Sequence, residues 1–163
     1  MKLAGAMLLL FASVFCGISA AAQLSRKAEQ IRLLRLLLTD LMNELRYTLP
    51  PVSELLRTLA GQAAYRRLSF LQTAAADADA FPECWQRALE QDSQLSAETA
   101  AVLETVGQTL GATALDGQLN SLQLCAERLA CLQSDAEQTA KKKGDLYRSL
   151  GLFGGLFCVI LLL

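Results

Sequence analysis

The chain contains no histidine. That absence removes the commonest general base, so no serine or cysteine can be activated through a Ser-His or Cys-His pair. Zinc sites are built from clustered Cys and His ligands. The five cysteines, Cys16, Cys84, Cys125, Cys131 and Cys158, are scattered and form no CxxC. Cys125 and Cys131 are six residues apart on a helical stretch, point to different faces and cannot pair locally, so free thiols in a reducing compartment are the simpler reading. Aromatic residues make up 6% of the chain, and no basic stripe is interleaved with them, which argues against a nucleic-acid interface. Gly107-Gln-Thr-Leu-Gly111 lacks the GK[ST] of a phosphate loop and reads as a helix end with a tight turn. The carboxylate pairs Asp77/Asp79 and Asp135/Glu137 read as solvated helix charges. No catalytic, cofactor-binding or metal-binding residue stands out, and the expectation is a protein that is not an enzyme.

What is present is apolar surface, concentrated at the ends. Hydrophobic residues are 53% of the 163 and mean hydropathy is +0.31. Leu3–Ala22 runs 20 residues without a charge, and Ser149–Leu163 another 15. About 20 apolar residues cross a bilayer core, so residues 1–22 are expected to be an N-terminal transmembrane helix. A cleaved signal peptide ending in Ser19-Ala20-Ala21-Ala22 is the rival reading; it would release a secreted helical binding module starting at Gln23. Phe15 is too bulky for the residue before a lipidated cysteine, which argues against lipidation at Cys16. From Leu146 to Leu163 a helix would reach about 27 Å, with Arg148 snorkelling to the interface beside Tyr147. Residues 146–163 are therefore expected to be a second transmembrane or membrane-inserted helix. Gly151 and Gly155 form a GxxxG spacing, and Ala12, Cys16 and Ala20 a stripe of the same period, which are candidates for membrane-helix packing. Basic residues flank the middle of the chain at Arg26, Lys27, Arg32 and Arg35, and again at Lys141–Lys143. The positive-inside rule then places residues 23–145 in the cytoplasm.

That middle region reads as helices throughout. Leu24, Ala28, Ile31, Leu34, Leu38, Leu41 and Leu45 recur at three- and four-residue steps, with Leu33, Leu36 and Leu37 widening the stripe, and Leu49-Pro50-Pro51 ends the helix. Further helices are expected from Pro51 or Val52 to about Ala60, from Ala63 to about Ala76 with Tyr65, Leu68 and Leu71 inward, and from Asp79 or Phe81-Pro82 with Trp85, Ala88 and Leu89 inward. The next follows a Ser96 N-cap, with Ala101, Leu103, Val106 and Leu110 inward. The last fits Leu115 to Leu146, carrying Leu119, Leu122, Ala126, Leu129 and Leu132. The fold class is all-α: an antiparallel helical bundle between N- and C-terminal membrane helices. From Asp77 to Glu137 eleven acids face two bases, a net charge of −9. Asp92, Glu98 and Glu104 are taken from this region as candidate partner-docking residues.

Several segments together resemble the stage III sporulation protein AB family. Val106-Gly-Gln-Thr-Leu-Gly-Ala-Thr-Ala-Leu-Asp-Gly-Gln-Leu119 is similar to its glycine–glycine–glutamine signature, and Lys143-Gly-Asp-Leu-Tyr-Arg-Ser-Leu-Gly-Leu-Phe-Gly-Gly155 to its C-terminal stretch. Asn43–Leu55 and Cys84-Trp-Gln-Arg-Ala-Leu89 look like it too. Ala112–Leu115 departs from the pattern within the turn. The resemblance implies an endospore former and a protein in the mother-cell membrane around the forespore. It further implies a part in the channel connecting the two cells, and a domain similar to the cytoplasmic helical domains of type II secretion and type IV pilus platform proteins. The implied partners are the membrane and other channel proteins, including a cytoplasmic secretion-type ATPase. No cofactor is implied.

Overall fold

A computed structural model describes the backbone of residues 2–162 and the side chains of residues 15, 18–144, 146, 149 and 153. These residues form six α-helices: α1 (Lys2–Tyr47), α2 (Val52–Gly61), α3 (Ser69–Ala76), α4 (Glu83–Gln91), α5 (Ala97–Thr109) and α6 (Leu115–Leu162). Single 3-10 turns sit at Ala63–Tyr65 and Ala78–Ala80. No strand occurs among the described residues, so the all-α expectation holds. The chain divides into two compact units, one of Gln30–Leu132 and one of Met1–Glu29 with Gln133–Leu163.

The central unit is built on the expected leucine stripe of α1. Ile31, Leu34, Leu38, Leu41 and Leu45 are buried, and Leu37 joins them, whereas Leu36 is 44% exposed. The helix therefore buries one broad face and not its whole circumference. It ends where the sequence predicts. The N–H groups of Thr48 and Leu49 both donate to the Glu44 carbonyl, Leu49 takes φ +45, and Pro50-Pro51 offers no further donor. Helix α2 follows and buries Leu55, Leu56, Leu59 and Ala60.

The single helix expected over Ala63–Ala76 is divided in two. After the 3-10 turn at Ala63–Tyr65, Leu68 adopts an extended conformation and α3 starts afresh at Ser69. Tyr65 and Leu68 are both buried despite the break. Tyr65 Oη donates to Asp40 Oδ2 at 2.5 Å, tying the turn to α1. Burial, and next the Asp40 carboxylate, push the Tyr65 phenol well above its ordinary pKa.

Helix α4 buries Cys84, Trp85, Ala88 and Leu89. Ser96 caps α5 as expected, its hydroxyl accepting from the Thr99 N–H at 3.4 Å. The α5 stripe is shifted by one residue from its sequence reading at one point: Val102 is buried and Ala101 exposed. On α6 the core contacts are Leu122, Cys125 and Leu129; Leu119, Ala126 and Leu132 are half-buried.

In the other unit, α1 and α6 meet through small residues. Ala21, Ala28 and Gly144 are buried, and a Cβ placed on Gly144 would lie 3.8 Å from the Ala21 Cβ, an ordinary contact. The boundaries expected at 22/23 and 145/146 mark changes of composition and coincide with no helix end. Among the described residues no helix is long and apolar enough to cross a membrane. The spans expected over residues 1–22 and 146–163 fall mostly on positions outside the described side chains, as do Ala12, Cys16, Tyr147, Arg148, Gly151 and Gly155.

Candidate docking surfaces

Trp85 is the centre of the α3–α4–α5 packing. It is fully buried, its indole N–H donates to the Leu103 carbonyl at 2.8 Å, and Phe70 and Phe81 stand edge-on to it at 5.3 and 6.3 Å. A buried indole N–H needs such a partner. Helix α5 reaches the ring because position 107 has no side chain. A Cβ there would lie 2.4 Å from Trp85 Cδ1 and 2.9 Å from Nε1, closer than atoms can approach.

The second signature glycine serves the turn that follows. Gly111 has φ +76, the left-handed region in which a side chain is strained. Gln118, on the first turn of α6, holds the turn shut: its Oε1 accepts from the Gly111 N–H at 3.0 Å and its Nε2 donates to the Thr113 carbonyl at 2.6 Å. Gly107, Gly111 and Gln118 are thus committed to packing and turn geometry. A cleft of about 400 Å³ opens beside this turn, lined by Val52, Ser53, Pro82, Gln108 and Leu110, with Asp79 among its walls.

The carboxylate pairs are placed as surface charges. Asp79 pairs with Arg57 at 2.6 Å and Asp77 with Arg87 at 3.4 Å, all four side chains more than half exposed. Pairs so exposed add little stability. Among the described residues no group of His, Cys, Asp or Glu could hold a metal ion. Cys84 and Cys125 are buried and Cys131 is exposed. Burial raises the pKa of both buried thiols, Asp77 adding to the effect at Cys84.

The three acidic docking candidates have different settings. Asp92 works inside the fold: its Oδ2 accepts from Ser69 Oγ at 2.6 Å and from the Phe70 N–H at 3.2 Å, and its Oδ1 from the Gln94 N–H at 2.9 Å. It caps the start of α3 from more than twenty residues downstream. Glu98 is exposed on the first turn of α5, where a negative charge suits the helix dipole. Glu104 is exposed two turns later and lines a groove of about 300 Å³ between α4 and α5 with Glu90, Gln86 and Ala97. The structure therefore offers Glu90 alongside Glu104 on one surface, a pairing that sequence spacing could not reveal because the two lie on different helices.

The basic residues are distributed unevenly by type. The central unit carries arginines and no lysine. All five lysines, Lys2, Lys27, Lys141, Lys142 and Lys143, belong to the other unit.

Comparison with known proteins places these features in a family. A family model described as stage III sporulation protein AB matches residues 2–163. The stage III sporulation protein AB of Bacillus subtilis (strain 168) is 29% identical over 171 residues, covering 100% of this chain and 99% of the relative. A solved structure of a stage III sporulation protein AB is similar with a TM-score of 0.55 and 25% sequence identity, covering 69% of this chain and 94% of that one.

Proposed function

The chain belongs to the stage III sporulation protein AB family, and from that premise we propose that it is a membrane-anchored, non-catalytic assembly component of the channel between mother cell and forespore, docking a cytoplasmic secretion-type ATPase. The observation that carries the reading is the use of the signature residues. Gly107, Gly111 and Gln118 are spent on helix packing and on closing a turn, as suits a scaffold whose purpose is a shape. The charge-free stretches 3–22 and 149–163, with basic residues on their inner flanks, supply the anchor. Ala21 packs against Gly144. Cleavage after Ala22, which the secreted alternative needs, would discard one side of that contact. The domain then lies in the mother-cell cytoplasm, where it can meet the ATPase.

The docking face is assigned to Glu90 and Glu104, which line the groove between α4 and α5; Glu98, six residues before Glu104 on α5, points to a different face. Long-range attraction between such acids and a basic partner speeds association and weakens as salt is added. Reversal of Glu90 and Glu104 to lysine should leave the fold intact while capture of the ATPase from sporulating cells, and spore formation, both fall. Asp92 is unsuitable as a surface probe because its carboxylate holds α3. A double variant that captures the ATPase normally at low and moderate salt would refute the docking assignment, and a mature protein beginning at Gln23 would refute the anchor.

A further inference from the structure

The unit formed by Met1–Glu29 and Gln133–Leu163 changes character at one level. α1 leaves this unit at Glu29 and α6 enters it at Gln133, so the two segments run antiparallel about the contact between Ala21 and Gly144. On one side of that contact lie Arg26 and Lys27, five and six residues beyond Ala21, and Lys141–Lys143, one to three residues before Gly144. At about 1.5 Å of rise per residue, all five cations fall within about 9 Å along the axis. All five are exposed, and among the described residues none forms an ion pair. Three consecutive residues on a helix fan through about 200°, so the lysines of α6 cover much of its circumference and Arg26 and Lys27 add a further arc from α1. On the other side of the contact the large exposed side chains are apolar, Phe15 and Ile18 on α1 and Leu146 and Phe153 on α6, with Ser149 exposed among them and Asp145 and Arg148 next to them in sequence.

We propose that Arg26, Lys27, Lys141, Lys142 and Lys143 form a cationic collar that binds anionic phospholipid headgroups. The inference rests on the membrane-anchored reading and adds the chemistry of the lipid that the anchor selects. Five positive charges crowded within about one Debye length repel one another, and an anionic surface at the same level relieves that repulsion. The apolar side chains beyond the contact fix the depth, because they suit hydrocarbon where the collar suits headgroups.

The test uses the full chain and its Lys141→Gln/Lys142→Gln/Lys143→Gln variant, reconstituted into vesicles of phosphatidylcholine alone and of equal phosphatidylcholine and phosphatidylglycerol. Flotation with the neutral vesicles reports anchoring by itself. Mild detergent extraction from the mixed vesicles, followed by analysis of the retained phospholipid, reports selection. The wild-type chain should float on neutral vesicles and retain phosphatidylglycerol over phosphatidylcholine at least about fivefold, the factor corresponding to about 1 kcal/mol for one basic residue at an anionic surface. The glutamine variant, which keeps Arg26 and Lys27, should float equally and retain clearly less phosphatidylglycerol relative to phosphatidylcholine than the wild type, as should the wild type in about 0.5 M salt. A Lys→Arg triple variant should match the wild type, because charge and not the amine is what acts. Retention at the bulk ratio by a floating wild-type chain overturns the collar and leaves the anchor standing. Failure to float on neutral vesicles, with flotation on the anionic ones that the glutamine variant loses, overturns the anchor and supports the collar. Failure to float on either overturns both.

Discussion

Placing a methyl group at position 107 should damage this protein out of proportion to its size. In an exposed helix the change from glycine to alanine is favourable by about 1 kcal/mol. Here the added Cβ would sit 2.4 Å from Trp85 Cδ1, and the ring cannot retreat freely. Phe70 and Phe81 flank it, and its N–H is held by the Leu103 carbonyl at 2.8 Å. Either α5 lifts away or the indole turns. Forcing extra atoms into a packed core costs about 1–3 kcal/mol, and a buried donor torn from its acceptor a further 1–3 kcal/mol or so. Set against the propensity gain, Gly107→Ala should destabilise the protein by about 1–5 kcal/mol. The single tryptophan makes the measurement direct, since urea unfolding followed by its fluorescence reports the site itself. The partner substitution isolates the cause. In a Trp85→Phe background, where no tryptophan remains and unfolding is followed by circular dichroism in all four proteins, the five-membered ring that clashes is gone, so the cost of Gly107→Ala should fall by at least about 1 kcal/mol, a coupling that a double-mutant cycle reads. A Gly107→Ala protein with an unchanged midpoint, or an equal loss in both backgrounds, would refute the contact as the cause.

The remaining predictions concern separate parts of the fold. Gly111→Ala should cost about 1–2 kcal/mol in thermal or urea unfolding, because φ +76 disfavours a side chain. Asp92→Ala should cost about 1–2 kcal/mol through loss of the α3 cap, whereas Glu98→Lys should change stability by less than about 0.5 kcal/mol. A fragment of residues 23–148 should melt cooperatively with a helical circular dichroism spectrum. Of its thiols, Cys131 should react quickly with a disulfide reagent while buried Cys84 and Cys125 react only on unfolding. Tyr65 has a raised folded-state pKa, so its contribution is fully present below the ordinary phenol pKa of about 10 and is lost as pH climbs beyond it. Unfolding midpoints measured from neutral pH to above pH 10 or so should fall at the alkaline end, and should fall less in Tyr65→Phe.

Much of this architecture was legible because strong helical periodicity leaves few options. The α1 stripe from Ile31 to Leu45, the stop at Leu49-Pro50-Pro51 and the Ser96 cap each rest on local chemistry, and each stands in the structure. The departures share a cause in tertiary contacts. The break at Leu68 has no proline or glycine to announce it; it exists because Tyr65 reaches Asp40 on α1 and Asp92 supplies a cap to Ser69 and Phe70. Ala101 and Val102 are adjacent small apolar residues, and only the packed neighbours decide which one turns inward. Cys125 counted as a thiol in the sequence, yet it fills a core position and sets its Sγ 3.8 Å from the Val102 carbonyl. The acidic surface was visible as an excess of charge. Which acids are available to a partner was not, since Asp92 looks the same as Glu104 until its acceptors are seen at work within the fold.

The lysine-free central unit has a practical side. Amine chemistry, whether a coupling resin, a dye or a sensor-chip surface, can seize this molecule only through Lys2, Lys27, Lys141–Lys143 or the terminal amine, all of them in the other unit. An immobilised chain would therefore be held through that unit by default, with no covalent attachment on α2 to α5.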